Sequence, residues 1–167
     1  SPLADAEIIG CGAQILEELG VGDKCVLRLN SLGDMQSRQV FREALIAFFS
    51  NVSGDLSDDS QRRLETNPLR ILDSKDSGDR ALLADAPRLP DYLSNEAQCH
   101  FECVTAALDA ASIRWIHDPL LVRGLDYYAH TAFEFVTDAL GAQGTVLGGG
   151  RYDGLSETLG GPALPAV

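Results

Sequence analysis

The chain has 167 residues, 45% of them hydrophobic and 23% charged, enough for one ordinary domain with a buried core. Thirteen Lys and Arg against twenty-five Asp and Glu leave a net charge of −12, spread along the chain. That balance disfavours loose attraction to nucleic acid and leaves room only for a shaped site with a few placed arginines. No apolar run approaches the ~18 residues of a membrane span, and no basic-then-apolar leader opens the chain, so no membrane partner is expected. Ser1-Pro2 reads as a cut edge rather than a natural start. Cys11, Cys25, Cys99 and Cys103 read as structural thiols in a reducing cytoplasm. Cys99 and Cys103 share a helix face, but no second ligand pair at zinc-site spacing follows, so no metal site is expected.

In chain order, 4–19 predicts a helix with Ile8, Ile15, Leu16 and Leu19 on one stripe and Gly20 as its stop. Lys24–Asn30 predicts a strand with Cys25, Leu27 and Leu29 on one side. Asp34 is a good N-cap for a helix carrying Val40, Phe41, Ala44, Leu45, Phe48 and Phe49 at helical spacing. The polar stretch 51–90 holds short elements: a helix capped by Ser57 and stopped by Pro68, an apolar group Leu69–Leu72, and one or two turns over Asp79–Ala84. Ser94 opens a longer helix with Ala97, Phe101, Val104, Leu108 and Ala111 on its buried face. Strands return at Ile113–Ile116, Ala132–Val136 and Thr145–Leu147, the last closed by Gly148-Gly149-Gly150. The expected organisation is α+β: sheet segments at 1–33 and 113–167 flank a helical unit at 34–112, an insertion into a sheet domain.

Two segments carry chemistry. In Leu121-Val122-Arg123-Gly124-Leu125-Asp126-Tyr127-Tyr128, an arginine precedes a glycine, so backbone can approach a ligand while the guanidinium points into it. The two tyrosines would face opposite sides if they lay on a strand. In Gly148-Gly149-Gly150-Arg151-Tyr152-Asp153-Gly154-Leu155, glycines let the backbone lie against a small ligand, and Asp153 can cap a following helix. The spacing is neither that of a dinucleotide fingerprint nor that of a Walker loop. Ordinary half-buried tyrosines and a flexible surface loop are the competing readings. Spacing alone reaches no further than a ligand pocket beside a glycine-rich strand end.

LVRGLDYYAHTAFEFVT and TVLGGGRYDGL resemble the two histidine-specific motifs of histidyl-tRNA synthetases, at a matching separation. LRLNSLGDMQSRQVFREAL and TNPLRILDSK resemble segments entering and within that family's insertion domain, so the resemblance covers nearly the whole chain. It implies a partial class II synthetase antiparallel sheet with flanking helices, interrupted by a mainly helical insertion. It implies activation of histidine with ATP to histidyl-adenylate, then transfer to the tRNA 3′ end. By position, Arg123 matches the arginine at the α-phosphate, and Tyr127, Tyr128 and Tyr152 match the histidine pocket, with Gly124, Gly149 and Gly150 as its backbone. The resemblance further implies ATP with Mg2+ as the complete enzyme's reactants, a homodimer in the cytoplasm, and an insertion reaching the acceptor arm of tRNA(His). Arg62, Arg63, Arg70 and Lys75, the densest basic cluster, are the candidates for that contact; the competing reading is a solvated face paired with Asp58, Asp59 and Asp73. The family's remaining ATP-contacting arginines and its anticodon domain have no counterpart here, so the chain alone is expected to be inactive and to bind no cofactor tightly. Two alternatives compete: a non-catalytic regulatory subunit of histidine biosynthesis that resembles the synthetase core, and a bare RNA-binding module, which the charge disfavours.

Overall fold

The computed structural model describes residues 1–123, 127–140 and 144–167. Strands β1 (Val26–Ser31), β2 (Trp115–His117), β3 (Ala129–Val136) and β4 (Thr145–Arg151) form one sheet in the order β2-β1-β3-β4. β1–β3 and β3–β4 are antiparallel, and β1–β2 is parallel with Leu27 opposite Trp115. A parallel neighbour needs a long crossover, and the helical stretch between Ser31 and Trp115 supplies it. The α-helices among the described residues are α1 (Pro2–Glu18), α2 (Met35–Asn51), α3 (Asp58–Thr66), α4 (Ser77–Leu82), α5 (Asn95–Ala110) and α6 (Leu155–Thr158), joined by short 3-10 turns.

The expected caps are in place. Asp34 accepts from the Ser37 amide, Ser57 from that of Ser60 and Ser94 from that of Ala97, each satisfying a donor the first turn leaves open. α2 buries Phe41, Leu45 and Phe49 with Ile71, Leu72 and Leu89, while Val40 is exposed at the edge of that face. A second core joins Ile9 and Leu16 of α1, Leu27 and Leu29 of β1, Val104 and Leu108 of α5, and Phe133 and Phe135 of β3. Helix α5 therefore packs with α1 against the sheet.

Three expectations change. α1 turns Asp5, Ile9, Gly12 and Leu16 inward, leaving Ile8, Ile15 and Leu19 exposed. Gly12 sets this rotation: a methyl there would already lie 3.2 Å from Leu147 and 3.3 Å from Phe135, so this bare face is the one that can sit closest to the strands. Ala111 is exposed because α5 ends at Ala110 and Ala111 is its C-cap. Gly148–Gly150 do not close β4 but lie inside it, opposite Glu134, Phe133 and Ala132.

Candidate functional site

The two motif segments meet at one end of β3 and β4. Tyr127 and Tyr128 precede β3 rather than lying in it, so strand alternation does not separate them, and their ring centroids are 4.8 Å apart. Tyr152, just past β4, packs edge-on at 6.2 Å from Tyr127 and 6.0 Å from Tyr128. Desolvation, then the neighbouring Tyr128 and Tyr152, push the Tyr127 hydroxyl above the usual tyrosine range. Three phenols thus converge, each able to donate and to accept.

Arg123 lies over the Tyr128 ring, with Cζ 5.9 Å from its centroid. Nη1 donates to Glu134 Oε1 at 2.9 Å, Nη2 to the Phe133 carbonyl and at 3.1 Å to the Gly149 carbonyl, and Nε to that same carbonyl at 3.3 Å. The guanidinium is thus clamped by one carboxylate and two strand carbonyls. A Cβ at Gly148 would stand 2.6 Å from Nη2, so this glycine is the seat of the guanidinium. A Cβ at Gly149 would stand 2.9 Å from the Phe133 ring, and one at Gly150 would stand 2.5 Å from the Thr131 carbonyl oxygen and 3.1 Å from Tyr128 Cδ1. Gly124 lies outside the described residues. The sequence alone singles out neither Glu134 nor Gly148 as a site residue; a carboxylate inside the otherwise apolar run Ala132–Val136 is the signal that points to Glu134.

A second charged network anchors the end of β4. Arg151, whose side chain is 4% exposed, pairs with the fully buried Asp5 through Nη2 and through Nε at 3.2 Å. Its Nη1 reaches Asp153 at 2.9 Å and Nη2 the Ser1 carbonyl at 2.9 Å. Asp5 also accepts from Thr131 and contacts His100 Nε2 at 2.8 Å. Burial alone would raise the Asp5 pKa, but hydrogen bonds from His100, Arg151 and Thr131 outweigh it and hold the pKa at about 2. Asp153 does not cap the next helix, which Gly154 begins without a side-chain cap. Instead it accepts from Arg151 and, at 2.9 Å, from the Ala166 amide, because the Arg151 charge is the stronger partner. His130 has left-handed backbone (φ 51°), stacks on His100 at 4.4 Å and buries an Nδ1 with no partner among the described residues. Burial, then His100, pull its pKa below the ordinary histidine value against Asp34 and Asp153.

The basic cluster lies elsewhere, on α3 and the turns after it. Arg62 and Arg63 both pair with Asp59, at 3.4 Å and 2.5 Å, and Arg63 also donates to the Arg70 carbonyl at 2.9 Å. Arg70 and Lys75 are exposed. Among the described residues no three His, Cys, Asp or Glu side chains are grouped to hold a metal ion, and no helix is long and apolar enough to cross a membrane. All four cysteines are free thiols.

The sequence matches the family described as "Histidyl-tRNA synthetase" over residues 1–167. It is 60% identical over 170 residues to a protein of Novosphingobium aromaticivorans named histidine–tRNA ligase, a match covering 99% of this chain and 41% of that protein. A Rhodospirillum rubrum protein of the same name is 58% identical over 167 residues, covering 100% and 40% respectively. The crystal structure of apo S. aureus histidyl-tRNA synthetase matches with a TM-score of 0.77 at 42% identity, over 98% of this chain and 39% of that one. The chain thus spans about two fifths of the length of these curated relatives. Matched along its whole length and at these identities, it belongs to the histidyl-tRNA synthetase family.

Proposed function

We propose that this segment forms the histidine side of the active site of a histidine–tRNA ligase, which joins histidine to ATP as histidyl-adenylate and passes it to the tRNA 3′ end. The observation that carries the proposal is the convergence of Tyr127, Tyr128 and Tyr152 beside Arg123 at a glycine-lined strand end. An imidazole needs a donor at one nitrogen and an acceptor at the other, and phenol hydroxyls supply both. The histidine carboxylate attacks the α-phosphorus, pyrophosphate leaves, and negative charge grows on the phosphate oxygens between. A guanidinium held in place stabilises that charge without reorganising. Glu134 gives Arg123 its resting partner, so contact with the phosphate means exchanging one oxyanion for another. ATP enters with Mg2+ in the proposed reaction; the described residues offer that ion no side-chain cluster, and no step is assigned to it.

In the same reading, residues 34–112 are the insertion domain, rooted in the sheet through Val104 and Leu108 of α5. Arg62, Arg63, Arg70 and Lys75 present its charge to the tRNA(His) acceptor arm, with Asp59 as the competitor for the first two. The complete ligase works as a cytoplasmic homodimer, and this chain, spanning about two fifths of its relatives' length, does not turn over by itself. The regulatory-subunit reading has less support: both relatives above carry the ligase name, and the arginine–glycine–tyrosine motif is intact.

Specificity tests the proposal. A pocket that hydrogen-bonds imidazole rejects look-alikes because they leave buried hydroxyls unpaired, at about 1–3 kcal/mol each. In the complete ligase carrying this segment, Tyr128→Phe should narrow histidine's advantage over similar-sized amino acids in amino-acid-dependent pyrophosphate exchange. An unchanged ratio would remove Tyr128 from the pocket.

A further inference from the structure

We infer that Arg38, on the first turns of α2, is a positioning residue for the histidine pocket; the inference rests on the proposed pocket role of Tyr128. Arg38 is half-buried, and its Nη1 donates to the Tyr128 carbonyl at 2.8 Å across 90 residues of chain. That carbonyl sits where the chain turns from the described end of the arginine motif into β3, the point that decides where the Tyr128 ring is aimed. Charged donors make the stronger hydrogen bonds, and a planar fork holds a direction that a point charge does not.

The neighbouring backbone is stitched to the same turn. The His130 amide donates to the Gly33 carbonyl at 2.8 Å, and the Leu32 amide to the His130 carbonyl at 2.5 Å. Gly33 adopts a left-handed φ of 66°, and a Cβ there would lie 2.5 Å from that of Ser37, so the turn holds one conformation. Asp34 then caps α2 and fixes the helix from which Arg38 projects. Arg38 lines a small pocket of about 30 Å³ with Arg123 and Tyr128. It also lines an open cleft of about 490 Å³ with Tyr127 and His130. Arg38, together with Leu69, thus borders both the space lined by Tyr128 and the space lined by Tyr127, and through it the first helix after β1 sets the geometry of the pocket.

The test uses the complete ligase with Arg38→Met, Arg38→Lys and Tyr128→Phe, read as KM for histidine, KM for ATP, kcat and melting temperature. Loss of a charged hydrogen bond that orders the pocket should raise the KM for histidine about tenfold in Arg38→Met. The KM for ATP, kcat and melting temperature should stay near wild type, and Arg38→Lys should recover part of the loss. If Tyr128→Phe raises the histidine KM and Arg38→Met does not, the positioning role is overturned while the pocket stands. If neither variant moves it, the pocket reading fails and this inference with it. If Arg38→Met lowers the melting temperature and shifts every constant together, Arg38 is a structural residue and the inference is overturned.

Discussion

Asp5→Ala should destabilise this chain by about 3 kcal/mol, toward the lower end of what removing one partner of a buried ion pair costs. The variant removes the acceptor of three groups at once: Arg151, Thr131 and His100. Arg151 keeps Asp153 and the Ser1 carbonyl, which is why the low end applies. For a chain of this size the loss converts to roughly 6–12 °C in melting temperature. Urea unfolding at pH 7, followed by far-UV circular dichroism, reads the single variants and the pair. Arg151→Met in the Asp5→Ala background removes the stranded charge, so the double variant should cost less than the sum by about 1–3 kcal/mol. A single-variant loss below about 1 kcal/mol, or additive losses, would refute the view that this pair anchors the end of β4.

Two further outcomes follow from the same geometry. Asp5 and Asp79 both have folded pKa values of about 2, the latter because hydrogen bonds from Ser60, Ser74 and Ser57 outweigh its burial. Depressed carboxylates contribute stability that is complete above their unfolded value near 3.9 and is lost as pH falls toward 2, about 2–3 kcal/mol each. Urea midpoints should therefore be flat above about pH 5 and fall steeply between about pH 4 and 2, Asp79→Asn should shrink that fall, and a flat acid profile contradicts the assignment. Gly150→Ala places a methyl 2.5 Å from the Thr131 carbonyl and 3.1 Å from Tyr128, for a cost of about 1–3 kcal/mol. Gly54→Ala, with nothing within 4 Å, is the control; equal melting temperatures for the two would contradict the packing.

Much of the helical scaffold is legible residue by residue. Asp34, Ser57 and Ser94 announce their helices because capping is local, and Leu27 and Leu29 announce the buried side of β1 because alternation is local. What resists reading is set by distant partners. α1 carries apolar residues on more than one face, and the choice among them is made by Gly12 fitting under Leu147 and by Asp5 meeting Arg151, 146 residues away. The motifs identify Arg123 and the tyrosines as a group, but not what holds them. Arg123 is held by the carbonyls of Phe133 and Gly149, and Tyr128 offers its own carbonyl to Arg38; every residue has a carbonyl, so such partners leave no mark in composition or spacing. Gly148 is a similar case: it looks like strand punctuation until a guanidinium is found on the space its side chain would fill.

Single-turnover adenylate formation by Arg123→Ala in the complete ligase tests the central claim most directly. If Arg123 meets the α-phosphate, its charge matters most where that phosphate becomes more negative, so the chemical step should slow by ~100-fold or more while histidine affinity changes little. Arg123→Lys should restore only part of the rate, since an ammonium lacks the planar fork that now spans Glu134 and two strand carbonyls. An unchanged chemical step with weakened histidine binding would contradict the account and leave Arg123 a mere prop for the tyrosine pocket.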